Sequence, residues 1–337
     1  MKTKAWRITS RLMLVVLLLV LGTAAAGAIA KSNLARKYPA PGQLVDVGGY
    51  KMHIHCTGQG SPTIILAAGG ADFSPSWAYV QPEIAKTTRV CSYDRAGFGW
   101  SEPSPHPRTA HTMVEELHTL LVHAGVQGPY VLVGHSLGGL LVRVYAHTYP
   151  EQVVGMVMVD AAHEETDLRR STAVPKFTEV QKRTIEQAAR QFRTLAFLRA
   201  TGMMALVPQS IPDPGLPQDA LAQYRATCAT SRFFETAVAE MYAQEGMLAE
   251  ARALRMTSFG DMPLIVLSAG HRQAIPSFTD AENQQLGEEM QAEQSELVAL
   301  SSEGKQIIAE QSGHYIQLDQ PDLVIDAIEE MVHAPGK

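Results

Sequence analysis

The chain has 337 residues, of which 46% are hydrophobic and 18% are charged, and this is enough apolar material for a sizeable core. Its net charge is −6, but residues 1–37 hold seven basic residues and no acidic one, which leaves a net charge of −13 on residues 38–337. Because a phosphate-binding surface needs clustered Lys and Arg, this acidic body argues against nucleic acid as a partner.

The first 37 residues are predicted to be a targeting segment outside the fold. Four basic residues among the first eleven precede 19 uncharged residues, Leu12 to Ala30. This run could be a signal peptide that is cleaved after Ala26 or Ala30, or it could remain as a membrane anchor, because a bilayer core is about 30 Å thick. The basic flank predicts that the body is exported. We expect an exported, membrane-anchored protein, with secretion or periplasmic release after cleavage as the alternative.

Eight short apolar runs in the body are predicted to be strands. The first two, 44–47 and 51–56, are joined through Gly-Gly-Tyr and predict a hairpin. Helix-like segments such as 109–124, 137–149 and 321–333 lie between or after the other runs. Strands that alternate with helices predict a mostly parallel sheet with helices on both faces. The other six predicted strands are 63–68, 89–94, 130–134, 153–160, 263–270 and 305–310.

The alternation stops between residues 161 and 262. This stretch has helical periodicity without a strand signal, and the Pro-rich segment 208–218 interrupts it. It predicts a helical cap inserted between the sixth and seventh strands. The predicted domains are therefore an N-terminal segment over 1–37, a core over 38–160 and 263–337, and a cap over 161–262.

Three cysteines, Cys56, Cys91 and Cys228, are compatible with an exported protein that has at most one disulfide. A bond between Cys56 and Cys91 requires their two strands to be neighbours. Each cysteine could instead be a small buried apolar residue. Their spacing matches no pattern of metal ligands, so no metal site is predicted.

The stretch GHSLGG, residues 134–139, lies between the apolar run YVLV and a helix-like segment. A serine in a tight strand-to-helix turn has a strained backbone, and the residues two before and two after it are pressed together. Gly134 and Gly138 therefore have a steric role. The turn raises the Ser136 hydroxyl above the sheet and leaves the Leu137 N–H at a helix N-terminus, where it could stabilise an oxyanion. Alternatively, the glycines serve the turn alone.

A serine nucleophile needs a base that accepts its proton and a carboxylate that orients the base. His314 follows the last predicted strand and precedes the final helix. That loop is expected at the same edge of a parallel sheet as the serine turn. The alternative is an ordinary loop histidine.

Four motifs occur in order along the chain: AAGGADFSPSW (67–77), YDRAGFGWSEP (93–103), GHSLGG and SGHYIQLDQP (312–321). Together they resemble the α/β-hydrolase superfamily over roughly residues 43–333, specifically its bacterial serine-nucleophile branch with a helical cap and an N-terminal apolar segment. The resemblance implies an eight-stranded, mostly parallel sheet and a Ser–acid–His triad in that chain order. It also implies that the Gly70 N–H is the second oxyanion donor, although the family's usual histidine before this turn is Ala68 here. Asp94 and Arg95 are expected to brace the loop after the fourth strand.

The position of the triad acid departs from the pattern of many relatives. They carry the acid a few residues after the seventh strand, where this chain has no acid before Asp280. The sixth strand ends at Asp160, and some members of the superfamily carry the acid there. We therefore predict Asp160 as the acid and Asp280 as the alternative. Asp160 could otherwise cap the segment that follows its strand.

These residues predict a serine hydrolase that cleaves small-molecule carboxylic esters through an acyl-enzyme. Ser136 is the predicted nucleophile, His314 the base, and the Gly70 and Leu137 N–H groups the oxyanion hole; this chemistry requires no cofactor. The serine argues against the epoxide hydrolases and haloalkane dehalogenases of similar fold, which attack with an aspartate. Segment 197–207 could line an acyl pocket or form the packing core of the cap.

Three alternatives remain. They are a proline-iminopeptidase-like peptidase, a haloperoxidase-type activity, and a tethered binding protein that kept the fold without catalysis. A peptidase would need cap carboxylates to hold the substrate ammonium. Glu235, Glu240 and Glu245 are candidates, although a spacing of five does not keep them on one helical face.

Overall fold

Eight strands form one sheet in the computed structural model, which describes residues 2–333. The strands are β1 (Gln43–Asp46), β2 (Lys51–Thr57), β3 (Thr63–Ala67), β4 (Val90–Tyr93), β5 (Tyr130–His135), β6 (Val153–Val159), β7 (Leu264–Ala269) and β8 (Gly304–Ala309). Their order across the sheet is β1-β2-β4-β3-β5-β6-β7-β8. The pairs β1–β2 and β2–β4 are antiparallel, and the other five pairs are parallel. The predicted eight-stranded, mostly parallel sheet is confirmed.

Helices connect the parallel strands and cover both faces of the sheet. The α-helices are α1 (Lys2–Lys37), α2 (Gln81–Ile84), α3 (Ala110–His123), α4 (Leu137–Thr148), α5 (Thr166–Ala173), α6 (Phe177–Ala200), α7 (Met203–Leu206), α8 (Gln218–Thr230), α9 (Phe233–Ala253), α10 (Asp280–Val298), α11 (Ile316–Asp319) and α12 (Pro321–His333). Short 3₁₀ helices occur at Ser74–Trp77, Pro150–Gln152 and Pro208–Ser210.

The central strand β5 shows how the sequence builds the two sides of the core. All six of its residues are buried, and successive side chains point to opposite faces of the sheet. Leu132 belongs to the same buried cluster as Leu141 of α4 on one face, whereas Val133 belongs to a cluster with Ile328 of α12 on the other. Burial on both faces explains why the strand is a continuous apolar run without alternation. The same burial holds the carboxyl end of β5 in place, and the serine turn begins there.

The helices α5–α9 lie between β6 and β7 along the chain, and the described residues of this stretch form no strand. Their aromatic residues Phe233 and Phe234 share an apolar cluster with Phe73 and Phe98, which come from loops of the sheet domain. The inserted helices are therefore packed onto the loops above the sheet by apolar contact.

Segment 197–207 has a divided environment. Met204 and Ala205 are buried, whereas Phe197, Leu206 and Val207 are 64%, 43% and 46% exposed. Only part of the segment therefore belongs to a packing core, and its exposed side chains require another explanation.

The strands that carry Cys56 and Cys91 are neighbours. Cys56 lies directly opposite Cys91 in the antiparallel β2–β4 pair, and the two sulfurs form a disulfide. Cys228 is a buried free thiol in the apolar cluster of α8 and α9. The condition that the sequence set for this bond is therefore met, and the bond ties β2 to the body of the sheet.

The N-terminal helix α1 is 36 residues long, and its apolar side chains from Leu12 to Leu21 are exposed. Within residues 2–333, the stretch Trp6–Lys37 is the one helix that is long and apolar enough to cross a membrane. The end of α1 contacts α7 and α8. This arrangement suggests that the chain associates with a membrane.

Candidate active site

Ser136 lies in the turn between β5 and α4. Its backbone has φ 51° and ψ −120°, a strained conformation for a residue with a side chain. A Cβ on Gly134 would come within 2.5 Å of the Gly138 carbonyl oxygen, and a Cβ on Gly138 within 2.3 Å of the Ala67 oxygen. Both positions therefore exclude any larger residue. The Ser136 carbonyl accepts hydrogen bonds from Gly139 and Ala162 N–H groups, each 2.9 Å long, which hold the turn against the end of β6.

The loop after β8 brings His314 to Asp160, the residue that follows β6. His314 Nδ1 lies 2.6 Å from Asp160 Oδ2. The Asp160 side chain is 3% exposed, whereas that of His314 is 44% exposed. A buried acceptor at Nδ1 places the proton there and leaves Nε2 free toward solvent. The pair therefore presents a basic nitrogen at the edge of the sheet where Ser136 lies.

Arg272, in the loop after β7, also binds Asp160. Its Nη2 is 2.8 Å from Asp160 Oδ1 and its Nη1 is 3.2 Å from Oδ2. The Ala269 N–H donates a further hydrogen bond of 3.1 Å to Oδ1. Burial alone would raise the pKa of Asp160, but the hydrogen bond from His314 and the charge of Arg272 outweigh it and hold the pKa below its usual value. Asp160 is therefore a carboxylate at neutral pH.

Replacing Arg272 should weaken the fold in a pH-dependent way. Because the pKa of Asp160 is lowered in the folded state, its contribution to stability is present above the unfolded value near pH 4 and is lost as the pH falls through the folded value. We expect Arg272→Met to reduce the free energy of unfolding by about 2–3 kcal/mol at pH 7, less than for a fully buried pair because Arg272 is partly exposed. Urea unfolding at pH 7 and pH 2 measures this, and the deficit should shrink at pH 2.

Arg183→Met is the matched control for Arg272→Met. Arg183 pairs with Glu179 across one turn of α6, and both side chains are mostly exposed. Such pairs contribute about 0.5 kcal/mol or less. An equal loss in the two variants, or a loss for Arg272→Met that does not change with pH, would contradict the role of Asp160's charge.

His135, the residue before Ser136, is a second histidine of the site. Its Nε2 donates to the His314 carbonyl over 2.9 Å, and the two ring centroids are 4.6 Å apart. Burial lowers the pKa of His135 to about 3, so the ring is neutral at physiological pH. This hydrogen bond thus ties the backbone of the His314 loop to the serine turn.

The loop after β3 carries Gly70 to the same place. A Cβ on Gly69 would lie 3.3 Å from Ser136 Cβ, and a Cβ on Gly70 would lie 3.9 Å from Leu137 Cβ. The N–H groups of Gly70 and Leu137 therefore belong to two segments that meet beside the serine. Leu137 is the first residue of α4, so its N–H has no acceptor within the helix.

Arg95 fixes the orientation of this loop. Its Nη1 and Nη2 donate to the Ala68 and Gly69 carbonyl oxygens, each over 2.6 Å. The Gly69 carbonyl and the Gly70 N–H are parts of one planar trans peptide and point in opposite directions. Holding the carbonyl therefore directs the Gly70 N–H to the other side of the loop.

Glu240 of α9 completes the support. It accepts hydrogen bonds from Arg95 at 3.0 and 3.1 Å, from Arg108 at 2.8 Å and from the Ala71 N–H at 2.8 Å. Burial would raise the pKa of Glu240, but the two guanidinium groups lower it below its usual value. This carboxylate of the inserted helices therefore binds the residue after Gly70, whereas Arg95 binds the carbonyl groups of the two residues before it.

The structure thus brings together Ser136, Asp160, His314, Gly70 and Leu137, but not Asp280. Asp280 is the exposed first residue of α10. Among residues 2–333, Ser136 Oγ donates no hydrogen bond to His314, a contact that in ligand-free sites often forms only with substrate. The same residues hold no group of three or more His, Cys, Asp or Glu side chains arranged to bind a metal ion.

Residues 62–209 match the family model described as alpha/beta hydrolase fold. The chain is 35% identical over 142 residues to the probable transporter efuK of Hormonema carpetanum. This match covers 40% of this chain and 20% of that protein. The chain is 29% identical to 2-hydroxymuconate semialdehyde hydrolase of Pseudomonas sp. strain CF600, over 39% of this chain and 47% of that enzyme. The chain thus spans less than half the length of these two relatives.

The esterase of Thermogutta terrifontis has a similar fold, with a TM-score of 0.56 and 21% identity over 87% of this chain and 97% of that one. At this identity the similarity concerns the fold alone.

Proposed function

We propose that this chain belongs to the α/β-hydrolase superfamily and is a serine hydrolase that cleaves small-molecule carboxylic esters through an acyl-enzyme. The observation that carries the proposal is the short hydrogen bond between His314 and the buried Asp160, at the same sheet edge as the strained Ser136 turn. A nucleophile, a base and an orienting carboxylate are the groups that acyl transfer requires.

In the proposed reaction, Ser136 Oγ attacks the ester carbonyl carbon while its proton passes to His314 Nε2. The Asp160 carboxylate holds the Nδ1–H and stabilises the imidazolium that forms. The Gly70 and Leu137 N–H groups receive the oxyanion of the tetrahedral intermediate. The C–O bond to the alcohol then breaks, and the alcohol leaves with the proton from His314. Water then attacks the acyl carbonyl carbon while its proton passes to His314 Nε2. The bond to Ser136 Oγ breaks, Oγ takes the proton back from His314, and the carboxylic acid leaves.

The environment of the cap carboxylates supports an esterase over an aminopeptidase. Glu240 is buried between two arginines, and it has no capacity left for a substrate ammonium. Glu235 pairs with Arg199, and Glu245, five residues after Glu240 on α9, is exposed.

For the cellular location, we propose that α1 remains as a membrane anchor and that the catalytic body lies outside the cytoplasm.

The experiment that tests the proposal is labelling of the full chain in detergent with a fluorophosphonate, followed by mass mapping. Oγ of an activated serine displaces fluoride from phosphorus, and the base takes the proton. We expect one adduct on Ser136 that is absent in His314→Ala. His111→Ala is the matched control, because His111 is exposed on α3, and this variant should label normally.

No adduct on the folded wild-type chain would reject the proposal and favour a tethered binding protein. Labelling in His314→Ala at the wild-type rate would reject the role of that histidine. With an adduct in hand, p-nitrophenyl esters of graded chain length would define the acyl preference.

A further inference from the structure

One face of the second half of α1 is docked onto the body. Along this part of the helix, Gly27, Ala30, Lys31, Leu34 and the following Tyr38 are less exposed than their neighbours. Their spacing of three or four residues places them on one side of a helix. Leu34 packs against the apolar cluster of α8 and α9, and the Tyr38 carbonyl accepts from Trp100 Nε1 over 3.3 Å.

The docked face begins with a contact between two glycines. A Cβ on Gly27 would come within 2.7 Å of Gly202 backbone atoms, and a Cβ on Gly202 within 2.6 Å of Gly27. Gly202 has φ 78° and joins α6 to α7. The two backbones therefore touch directly, in the manner of small residues at the interfaces of membrane helices.

The position of Gly27 along α1 sets the depth of this contact in a bilayer. Arg11 and Lys31 flank the 19 uncharged residues, which span about 28 Å as a helix and so match a hydrocarbon core about 30 Å thick. Gly27 precedes Lys31 by four residues, or about 6 Å along the axis. A bilayer that covers the uncharged residues therefore reaches the level of Gly202.

The residues on either side of Gly202 present apolar side chains that the body leaves partly exposed. Phe197 precedes it, and Leu206 and Val207 follow it, and all three are substantially exposed. Ile29, near the contact on α1, is 63% exposed as well. Burying such side chains is worth about 1.5–3 kcal/mol each, so a surface that exposes them beside a membrane helix is suited to lipid.

We propose that the segment 197–207 inserts into the bilayer leaflet that α1 enters, and that the enzyme takes ester substrates with long hydrocarbon chains from that leaflet. The second part rests on the proposed function. Met204 of this segment, the aromatic residues of α9 and Phe73 share one apolar cluster, and Phe73 lies three residues after Gly70. The membrane contact is therefore continuous, through packed side chains, with the loop that holds the oxyanion donor.

Nitroxide labels on the full chain in phosphatidylcholine vesicles test the insertion without any activity. Phe197→Cys and Leu206→Cys are the test variants, and Val122→Cys on α3, 58% exposed, is the control. The native cysteines should not react, because Cys56 and Cys91 are bonded and Cys228 is buried. Labels at 197 and 206 should collide more often with oxygen and less often with a nickel chelate than the label at 122. Equal accessibility at the three positions would overturn the proposal, as would a mature chain that lacks residues 1–26 or 1–30.

Hydrolysis by the double variant Phe197→Ser/Leu206→Ser tests the substrate route. We expect about tenfold slower hydrolysis of p-nitrophenyl palmitate embedded in the vesicles and unchanged hydrolysis of soluble p-nitrophenyl acetate. Val122→Ser should be normal with both esters. Equal rates of the double variant and the wild type on the embedded ester would overturn the route. Failure of the wild type to hydrolyse either ester would instead reject the proposed function, while the label accessibilities still decide the insertion.

Discussion

Asp160→Asn should lower kcat/KM for p-nitrophenyl acetate by about 10³–10⁴-fold, the loss expected when the orienting acid of a serine triad becomes an amide. The carboxylate accepts from His314 Nδ1–H at 2.6 Å, so the free lone pair is on Nε2. An asparagine that turns its NH₂ toward Nδ1 would stabilise the opposite tautomer, with the proton on Nε2. That ring cannot take the proton of Ser136, and this is why the effect is large.

Asp280→Asn is the matched control, because it makes the same change in the acid that the sequence offered as the alternative. Asp280 is exposed at the start of α10, so the kcat/KM of the Asp280→Asn variant should equal that of the wild type. Thermal unfolding of both variants separates lost chemistry from lost structure. A comparable loss of activity in both variants, or a loss in Asp280→Asn alone, would show that Asp160 is not the acid.

The sheet could be predicted from the sequence because its signals are local. A buried parallel strand such as β5 needs apolar residues on both faces, and a turn such as Gly134–Gly138 needs small residues at fixed positions. The same logic placed Ser136, Asp160 and His314 at one edge, since the carboxyl ends of parallel strands meet there. The catalytic roles of these residues remain predictions.

The supporting residues could not be predicted, because their partners are distant in the chain. Arg272 lies 112 positions from Asp160, and Glu240 lies 145 positions from Arg95. The sequence suggested that Arg95 braces a loop, but it gave no partner for its charge. The loop after β7 did carry one signal: Arg272 follows the strand by three residues, at the same sheet edge as Asp160.

The inserted helices gave the weakest signal. Segment 197–207 is apolar throughout most of its length, and this pattern alone does not distinguish a pocket lining from a packing core or a membrane surface. The exposure of Phe197, Leu206 and Val207 depends on how α6, α7 and α1 pack together. Such packing between segments is not encoded in local periodicity.

Glu240→Gln should lower kcat for p-nitrophenyl acetate about tenfold to a hundredfold and change KM less than threefold. The carboxylate holds the Ala71 N–H and Arg95, and Arg95 holds the carbonyl that is coplanar with the Gly70 N–H. Misdirecting an oxyanion donor acts on the transition state more than on bound substrate, and removing one entirely costs about 10²–10³ in kcat. The variant should also unfold at lower temperature, because a buried arginine without its partner costs about 3–5 kcal/mol.

Glu245→Gln is the control for Glu240→Gln, since it makes the same change five residues along α9 at an exposed position. It should leave kcat, KM and the melting temperature unchanged. The separation of kcat from KM carries the argument: a purely structural role for Glu240 predicts a lower melting temperature with normal kcat in the fraction that stays folded. A fall in kcat measured well below the melting temperature would instead show that a carboxylate of the inserted helices sets the geometry of the oxyanion loop, and that these helices act in the chemistry as well as covering the site.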